Sequence, residues 1–162
     1  MSACTPDRRG FSIIELMIVV LVISILGMLA QAAFHHITVR ARGSAFVNDG
    51  RVFVEAFGRY AHEKGDFPPD AEAGVFPAGM AGYLNAATWG RTPPLGGVYD
   101  WDNKDAPGNG ETVFRAAVKV SGCRWTLDDL QRLDEWFDNG DLASGTIRVT
   151  DAGATVIYVI EP

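Results

Sequence analysis

Residues 10–20 read GFSIIELMIVV, and this stretch decides how the chain is interpreted. It opens a run from Phe11 to Ala30 in which Glu15 is the only charged side chain. A run of this length forms a helix of about 30 Å, the thickness of the hydrocarbon core of a bilayer. Arg8 and Arg9 precede it and place the amino terminus in the cytoplasm by the positive-inside rule. We therefore predict a transmembrane helix at residues 11–30.

Glu15 is the feature that a simple membrane anchor does not explain. A carboxylate inside such a span costs about 2–3 kcal/mol at the helix centre and somewhat less near an end. A helix that only anchored the chain would have no use for that cost. We interpret Glu15 as a functional residue that needs a cationic partner.

An ordinary secretory signal peptide is an alternative for the same segment. Ala30-Gln31-Ala32 matches an A-x-A-like cleavage site, and the chain would then be an exported binding domain. The apolar region is longer than the usual length of about 7–15 residues, however, and it contains an acid.

The ordered string at residues 10–20 closely resembles the processing site of type IV prepilins and type II secretion pseudopilins. Their signature reads GFTLIELMIVV or near it. The resemblance implies that a prepilin peptidase cleaves between Gly10 and Phe11 on the cytoplasmic face. It also implies N-methylation of the new terminus at Phe11.

The same resemblance implies a function without catalysis. The chain would be a pseudopilin of a type II secretion system, polymerised through its first helix to drive protein export. Its partners would be the prepilin peptidase, other pilin or pseudopilin subunits and an inner-membrane assembly platform. The head would be periplasmic, and the filament periplasmic or on the surface. A minor type IV pilin is the alternative. The sequence contains no G-x-S-x-G, phosphate-loop or H-E-x-x-H motif that would point to an enzyme.

Cleavage would give Glu15 its partner. It makes Phe11 the first residue and leaves a cationic amine about 6 Å away, one helical turn before Glu15. A staggered second subunit can place its own Phe11 amine against this carboxylate, so that pairing favours one register of addition. Many pilins also carry a helix-softening proline in this helix, whereas this chain has none between Pro6 and Pro68. That departure favours a role other than that of a major pilin.

Composition limits what the remaining chain can bind. The net charge is -6, and an acidic exported domain lacks the clustered Lys and Arg that nucleic-acid binding requires. Cys4 lies in the predicted leader or on the cytoplasmic side, so it cannot pair with Cys123 inside one folded domain. We expect Cys123 to be a buried free thiol, with an intermolecular disulfide as the alternative.

The first helix is expected to continue past the membrane, over residues 11–64. An apolar stripe of helical period lies opposite a charged face, and Gly43 and the sequence Asn48-Asp49-Gly50 could kink or fray the helix between them. The stripe comprises Phe53, Ala56, Phe57, Tyr60 and Ala61, and the charged face Arg51, Glu55, Arg59 and Glu63. The predicted domains are a leader at 1–10, the span at 11–30, its amphipathic continuation at 31–64 and a periplasmic head at 65–162.

The head is expected to be a small antiparallel sheet with one further helix, which gives an α+β, pilin-like fold. After Gly65, residues 66–98 form a Gly- and Pro-rich connector with a short helical candidate at 78–87. We predict strands entered at 96–102 and at 112–120, and a final β-hairpin of 145–150 and 154–160. Thr126 caps a helix whose apolar positions are Leu127, Leu130, Leu133, Trp136 and Phe137.

One acidic run is a candidate calcium site. Asp100, Asp102 and Asp105, with Asn103, offer the oxygen ligands that Ca²⁺ prefers. The spacing is not that of an EF-hand, and solvated turns are the alternative reading. A second acidic turn, at 138–141, could equally be a helix stop. His35 and His36 are adjacent, so they point in different directions on a helix, and we expect surface or filament contacts rather than metal ligation.

The mature amino terminus distinguishes these interpretations. We expect protein isolated from membranes to begin at a methylated Phe11, as detected by amino-terminal sequencing and intact mass. A start at Ala33 would instead identify an ordinary signal peptide and remove the prepilin interpretation.

Overall fold

A single helix, α1, runs from Ile13 to Lys64, as predicted for residues 11–64. It belongs to a computed structural model that describes residues 11–103 and 114–162. The chain divides into two units, Met1–Thr38 and Val39–Pro162, so residues 39–64 of α1 belong to the unit that contains the head. Gly65 ends the helix at φ 85°, a conformation that glycine adopts readily, and its amide bonds to the Ala61 carbonyl at 2.8 Å.

The predicted stripe on the second half of α1 is confirmed. Phe53, Ala56 and Phe57 are buried, Tyr60 and Ala61 are half-buried, and the four charged residues of the opposite face are exposed. The 3.6-residue period thus turns the apolar side chains towards the core of the head.

Four strands form one antiparallel sheet in the order β1-β2-β4-β3. They are β1 (Val98–Asn103), β2 (Ala116–Ser121), β3 (Ile147–Thr150) and β4 (Thr155–Glu161). The final hairpin is confirmed, with a 3₁₀ turn at Asp151–Gly153 between its strands. The strand predicted at 112–120 begins later, at Ala116, and residues 112 and 113 lie outside the described part. The α+β architecture of a long helix and a small antiparallel sheet is pilin-like, as expected.

Two short helical turns replace the helix predicted at 78–87. A 3₁₀ turn covers Met80–Gly82, and α2 covers Ala86–Trp89 with Asn85 as its N-cap. The connector is fixed to the core by buried tryptophans. The indole nitrogen of Trp89 donates to the Val75 carbonyl at 2.8 Å, and that of Trp101 donates to the Pro68 carbonyl at 3.1 Å.

Helix α3 (Leu127–Phe137) begins at the predicted cap, where the Thr126 hydroxyl accepts from the Asp129 amide at 3.3 Å. Of its apolar positions, Leu130 and Leu133 are fully buried, whereas Leu127 remains 51% exposed. The buried side of α3 also carries two acids that the pattern did not assign to it, Asp129 and Asp134.

Aromatic side chains join α1 to the sheet. Phe57 stacks on Trp101 with ring centroids 3.7 Å apart and planes inclined by 6°. Phe53 meets the edges of Tyr99 at 4.8 Å and Trp89 at 5.4 Å. Such pairs contribute about 0.5–1.5 kcal/mol each beyond the area they bury, so this cluster defines one packing arrangement of α1 on β1.

Segments outside the strands bond both edges of the sheet. The Gly74 amide donates to the Tyr99 carbonyl of β1 at 2.7 Å, and the Val149 amide of β3 donates to the Leu142 carbonyl at 2.8 Å. Backbone groups that an edge strand would otherwise present to another chain are therefore used within the head.

Gly43 and Gly50 are helical and serve close packing, so the predicted kink or fraying is not observed at residues 43–50. A Cβ added to Gly43 would lie 2.7 Å from Leu133 Cδ1 on α3. One added to Gly50 would lie 2.5 Å from Tyr158 Cε2 on β4. Both residues allow α1 to approach the head more closely than any other amino acid would.

We expect Gly50→Ala to lower the free energy of unfolding of the full chain by about 1–3 kcal/mol, because the Tyr158 ring must move. Gly58→Ala is the matched control. It lies on the same helix with nothing within 4 Å of an added Cβ, and we expect stabilisation of up to about 1 kcal/mol from helix propensity. Denaturant unfolding in detergent, followed by near-UV circular dichroism, measures both. Equal effects of the two variants would contradict the packing role of Gly50.

Candidate functional site

The first described part of the chain is apolar and uncovered. Every side chain from Phe11 to Leu29 is exposed, Phe11 by 81%. An 18-residue window of α1 has a mean hydropathy of 2.8, and none of that window is buried within the chain. Its length and composition suffice to cross a membrane, although a signal sequence near the amino terminus would meet the same criterion. Apolar surface of this extent requires lipid or another protein as cover.

Glu15 lies in the first turn of α1 and is its only acidic residue there. The Ser12 amide donates a hydrogen bond of 2.9 Å to Glu15 Oε2. The Ser12 carbonyl in turn accepts from the Leu16 amide at 3.3 Å, which closes the first turn. The carboxylate therefore points back towards the amino-terminal end of its own helix, the end where the helix dipole is positive.

Comparison with protein families identifies this segment. The chain carries the prokaryotic N-terminal methylation motif, which matches residues 5–30. This motif is characteristic of type IV pilins and pseudopilins, and it includes both Phe11 and Glu15. No curated protein and no solved structure matches the chain.

The methylation motif supports a pilin-like or pseudopilin subunit that is processed by prepilin peptidase and assembles with other subunits. Together with the apolar helix, it is consistent with a single-pass inner-membrane anchor. Gly10 lies outside the described residues, whereas Phe11 is described and exposed. Cleavage at Gly10, methylation of Phe11 and the inter-subunit role of Glu15 stay predictions.

Two of the three calcium candidates lie on β1. Asp100 and Asp102 are two residues apart and therefore project from the same face of the sheet, and Asp105 lies outside the described residues. Across residues 11–103 and 114–162, no three His, Cys, Asp or Glu side chains are grouped so as to hold a metal ion. Calcium binding that uses Asp105 stays a prediction.

A lysine already supplies positive charge to these two aspartates. Lys119 on β2 is the register partner of Asp100 and forms an ion pair with Asp102 Oδ2. Burial raises the pKa of Asp100, while Lys119 and a hydrogen bond of 3.3 Å from the Ser121 hydroxyl oppose that rise. Lys119 therefore performs part of the charge compensation that a bound cation would provide.

The second acidic turn acts as the predicted helix stop. Asp138 follows α3, and its Oδ2 accepts from the amides of Thr146 at 2.6 Å and Ile147 at 2.8 Å. Asp141 Oδ2 accepts from the Ser144 hydroxyl at 2.7 Å, which lowers the pKa of that carboxyl. These carboxylates fix the loop that leads into β3.

The remaining candidates are the adjacent histidines and Cys123. His35 and His36 are exposed, as expected for surface residues. Cys123 is a free thiol and is half-buried rather than fully buried, and burial raises its pKa. A raised pKa disfavours the reactive thiolate.

Sequence analysis treated Asp49 only as a weak helix former, whereas in the structure it links α1, β1 and the connector. It is 4% exposed on α1, accepts a hydrogen bond of 2.6 Å from the Tyr99 hydroxyl and forms an ion pair with Arg91. The available signal was position, because Asp49 lies three residues after Phe46 and four before Phe53, on the apolar side of the helix. Its contacts attach α1 to β1 and to the connector.

The pair of Lys119 and Asp102 provides a test of this electrostatic account. Lys119→Met would remove the ion pair of a mostly buried carboxylate, and we expect a loss of about 2–3 kcal/mol of unfolding free energy at neutral pH.

Arg132→Met is the control, since Arg132 is an exposed basic residue of α3. Its effect should stay within about 0.5 kcal/mol. Denaturant unfolding of both variants at neutral pH decides the question. A loss for Lys119→Met no larger than that for Arg132→Met would contradict the ion-pair explanation.

Proposed function

We propose that the chain is a prepilin-like subunit of an envelope-spanning machine. Prepilin peptidase removes the cytoplasmic leader at residues 1–10, Phe11 becomes the methylated terminus, and residues 11–30 anchor the subunit in the bacterial inner membrane. Residues 31–64 continue the helix, and residues 65–162 form the periplasmic head. The observation that carries this proposal is the methylation motif, placed on an exposed apolar helix that contains Glu15.

Assembly has to provide apolar contacts for the side chains of residues 11–29 and a positive charge for the Glu15 carboxylate. The exposed side chains of residues 11–29 exchange lipid for the helices of neighbouring subunits, which changes the hydrophobic energy little because both surroundings are apolar. Charge then determines the register. The Phe11 amine of one subunit and the Glu15 carboxylate of another compensate each other when the helices are correctly staggered.

We further propose that the filament belongs to a type II secretion system. The support is the uninterrupted first helix, since no proline occurs between Pro6 and Pro68 and α1 runs from Ile13 to Lys64. Subunit addition on an inner-membrane platform would lengthen a periplasmic fibre, and a cytoplasmic ATPase elsewhere in the machine would supply the energy. The chain itself would have a mechanical role and no catalytic one.

Complementation of a deletion strain tests the proposal. The wild-type chain should restore the secretome, whereas Glu15→Val should be inserted and cleaved but excluded from filaments. Compensating this charge contributes a free energy of about 2–3 kcal/mol, which corresponds to a roughly 30- to 150-fold change in the equilibrium constant for subunit addition. Cross-linked or sheared filament fractions measure that change.

Ser24→Ala is the matched control, because it removes a polar group from the same span without removing a charge. Ser24 is exposed, and its hydroxyl donates to the Val20 carbonyl of its own helix at 2.7 Å. We expect wild-type filament yield from it. Loss of surface pili with an unchanged secretome would reassign the chain to a type IV pilus, and normal filament yield from Glu15→Val would remove the role of Glu15.

A further inference from the structure

The first turn of α1 contains a hydrogen bond that the proposed inter-subunit pairing does not use. Ser12 immediately precedes the helix, and Glu15 is the third residue of α1. The Ser12 carbonyl accepts the first helical hydrogen bond, and the Ser12 amide donates to Glu15 Oε2 at 2.9 Å. A Ser at the N-cap with a Glu three residues later is the capping-box pattern, in which the Glu side chain satisfies the N-cap amide.

We propose that Glu15 caps its own helix before assembly, and that subunit addition exchanges this intramolecular contact for the amine of a neighbour. Ser12 is then a positioning residue, since its backbone amide orients the carboxylate. This inference rests on the proposed function, because only a subunit that polymerises exchanges the partner of Glu15. In this proposal the contact forms in the precursor, so the carboxylate is oriented before cleavage.

The cap explains how the precursor tolerates an acid at the start of an apolar span. A buried charge is costly when it lacks hydrogen bonds, and an amide donor at the positive end of the helix reduces that cost. The hydrogen bond is made to Oε2, and it brings no positive charge to the carboxylate. In the precursor, Glu15 is therefore hydrogen-bonded, and its negative charge still requires a cation.

Cleavage then creates the cation beside an oriented acceptor. Hydrolysis of the peptide bond between Gly10 and Phe11 adds one water, so that Gly10 gains a carboxylate and Phe11 gains an amine. Phe11 precedes Ser12, and consecutive Cα atoms are about 3.8 Å apart. The new ammonium thus appears one residue from the amide that already holds Glu15, and a mature subunit can neutralise itself until a neighbour replaces that contact.

The cap and the ion pair make different demands on residue 15. A capping box accepts Gln in place of Glu, because an uncharged amide oxygen can still accept from the N-cap amide. An ion pair with an amine requires the negative charge. Glu15→Gln therefore keeps the cap and loses the ion pair, whereas Glu15→Val loses both.

Amide hydrogen exchange in the full-length precursor tests the cap. The chain labelled with ¹⁵N-serine, placed in lipid nanodiscs without peptidase, gives six serine amides, with Ser44 as an internal reference on α1. We expect the Ser12 amide to exchange about fivefold faster in Glu15→Val than in the wild-type chain, in line with the usual strength of a helix cap. Glu15→Gln should exchange at the wild-type rate, and Ser44 should be unchanged throughout.

Equal Ser12 exchange in the wild-type chain and Glu15→Val would overturn the cap and leave the proposed function standing. The filament-incorporation assay on the same variants tests the other half. A Glu15→Gln chain with a protected Ser12 amide that fails to enter filaments supports the exchange of partners. The same chain entering filaments at the wild-type level would overturn the inter-subunit ion pair, and with it the exchange, while the cap would stand.

Discussion

An apolar helix that carries one carboxylate has to find cover for its side chains and compensation for its charge. The first described residues of this chain meet neither condition alone, because residues 11–29 are exposed and the Ser12 amide gives Glu15 a hydrogen bond but no opposite charge. Membrane insertion would supply the cover, and a neighbouring amine would supply the compensation. In the proposed function this requirement connects the methylation motif with polymerisation, since removing the leader would create the amine that the carboxylate needs.

The second half of the same helix is stabilised differently, by packing within the chain. From Val39 onwards, α1 belongs to a unit in which burial is one-sided and the aromatic residues Phe53 and Phe57 pack against Tyr99 and Trp101. Asp49 adds a polar attachment to β1 and to Arg91. The second half of α1 is therefore part of the core of the head. A variant that disturbs residues 43–57 should destabilise the whole head.

Local patterns predicted the elements that are determined locally. The helical period identified the buried stripe around Phe53, the prolines after Gly65 identified the end of α1, and Thr126 identified the start of α3. Patterns failed where a distant contact decides the outcome. Gly43 and Gly50 are poor helix formers, yet Leu133 and Tyr158 require their missing side chains, and no local signal reveals either partner. At the candidate site, the Ser12–Glu15 capping contact has a local spacing that was not recognised from the sequence. Lys119 became a partner of Asp102 only through the register of β1 and β2.

The hydrogen bonds at both edges of the sheet affect how such subunits could accumulate in a membrane without aggregating. Subunits waiting in a membrane reach high local concentrations, and open strand edges under those conditions invite irreversible β-aggregation. Here Gly74 bonds the β1 edge at Tyr99, and Leu142 bonds the β3 edge at Val149. Association is thereby directed to the helix, whose contacts are side-chain packing and charge. A fibre assembled as proposed would be held by these contacts rather than by shared strands, so it could be dismantled and its subunits used again.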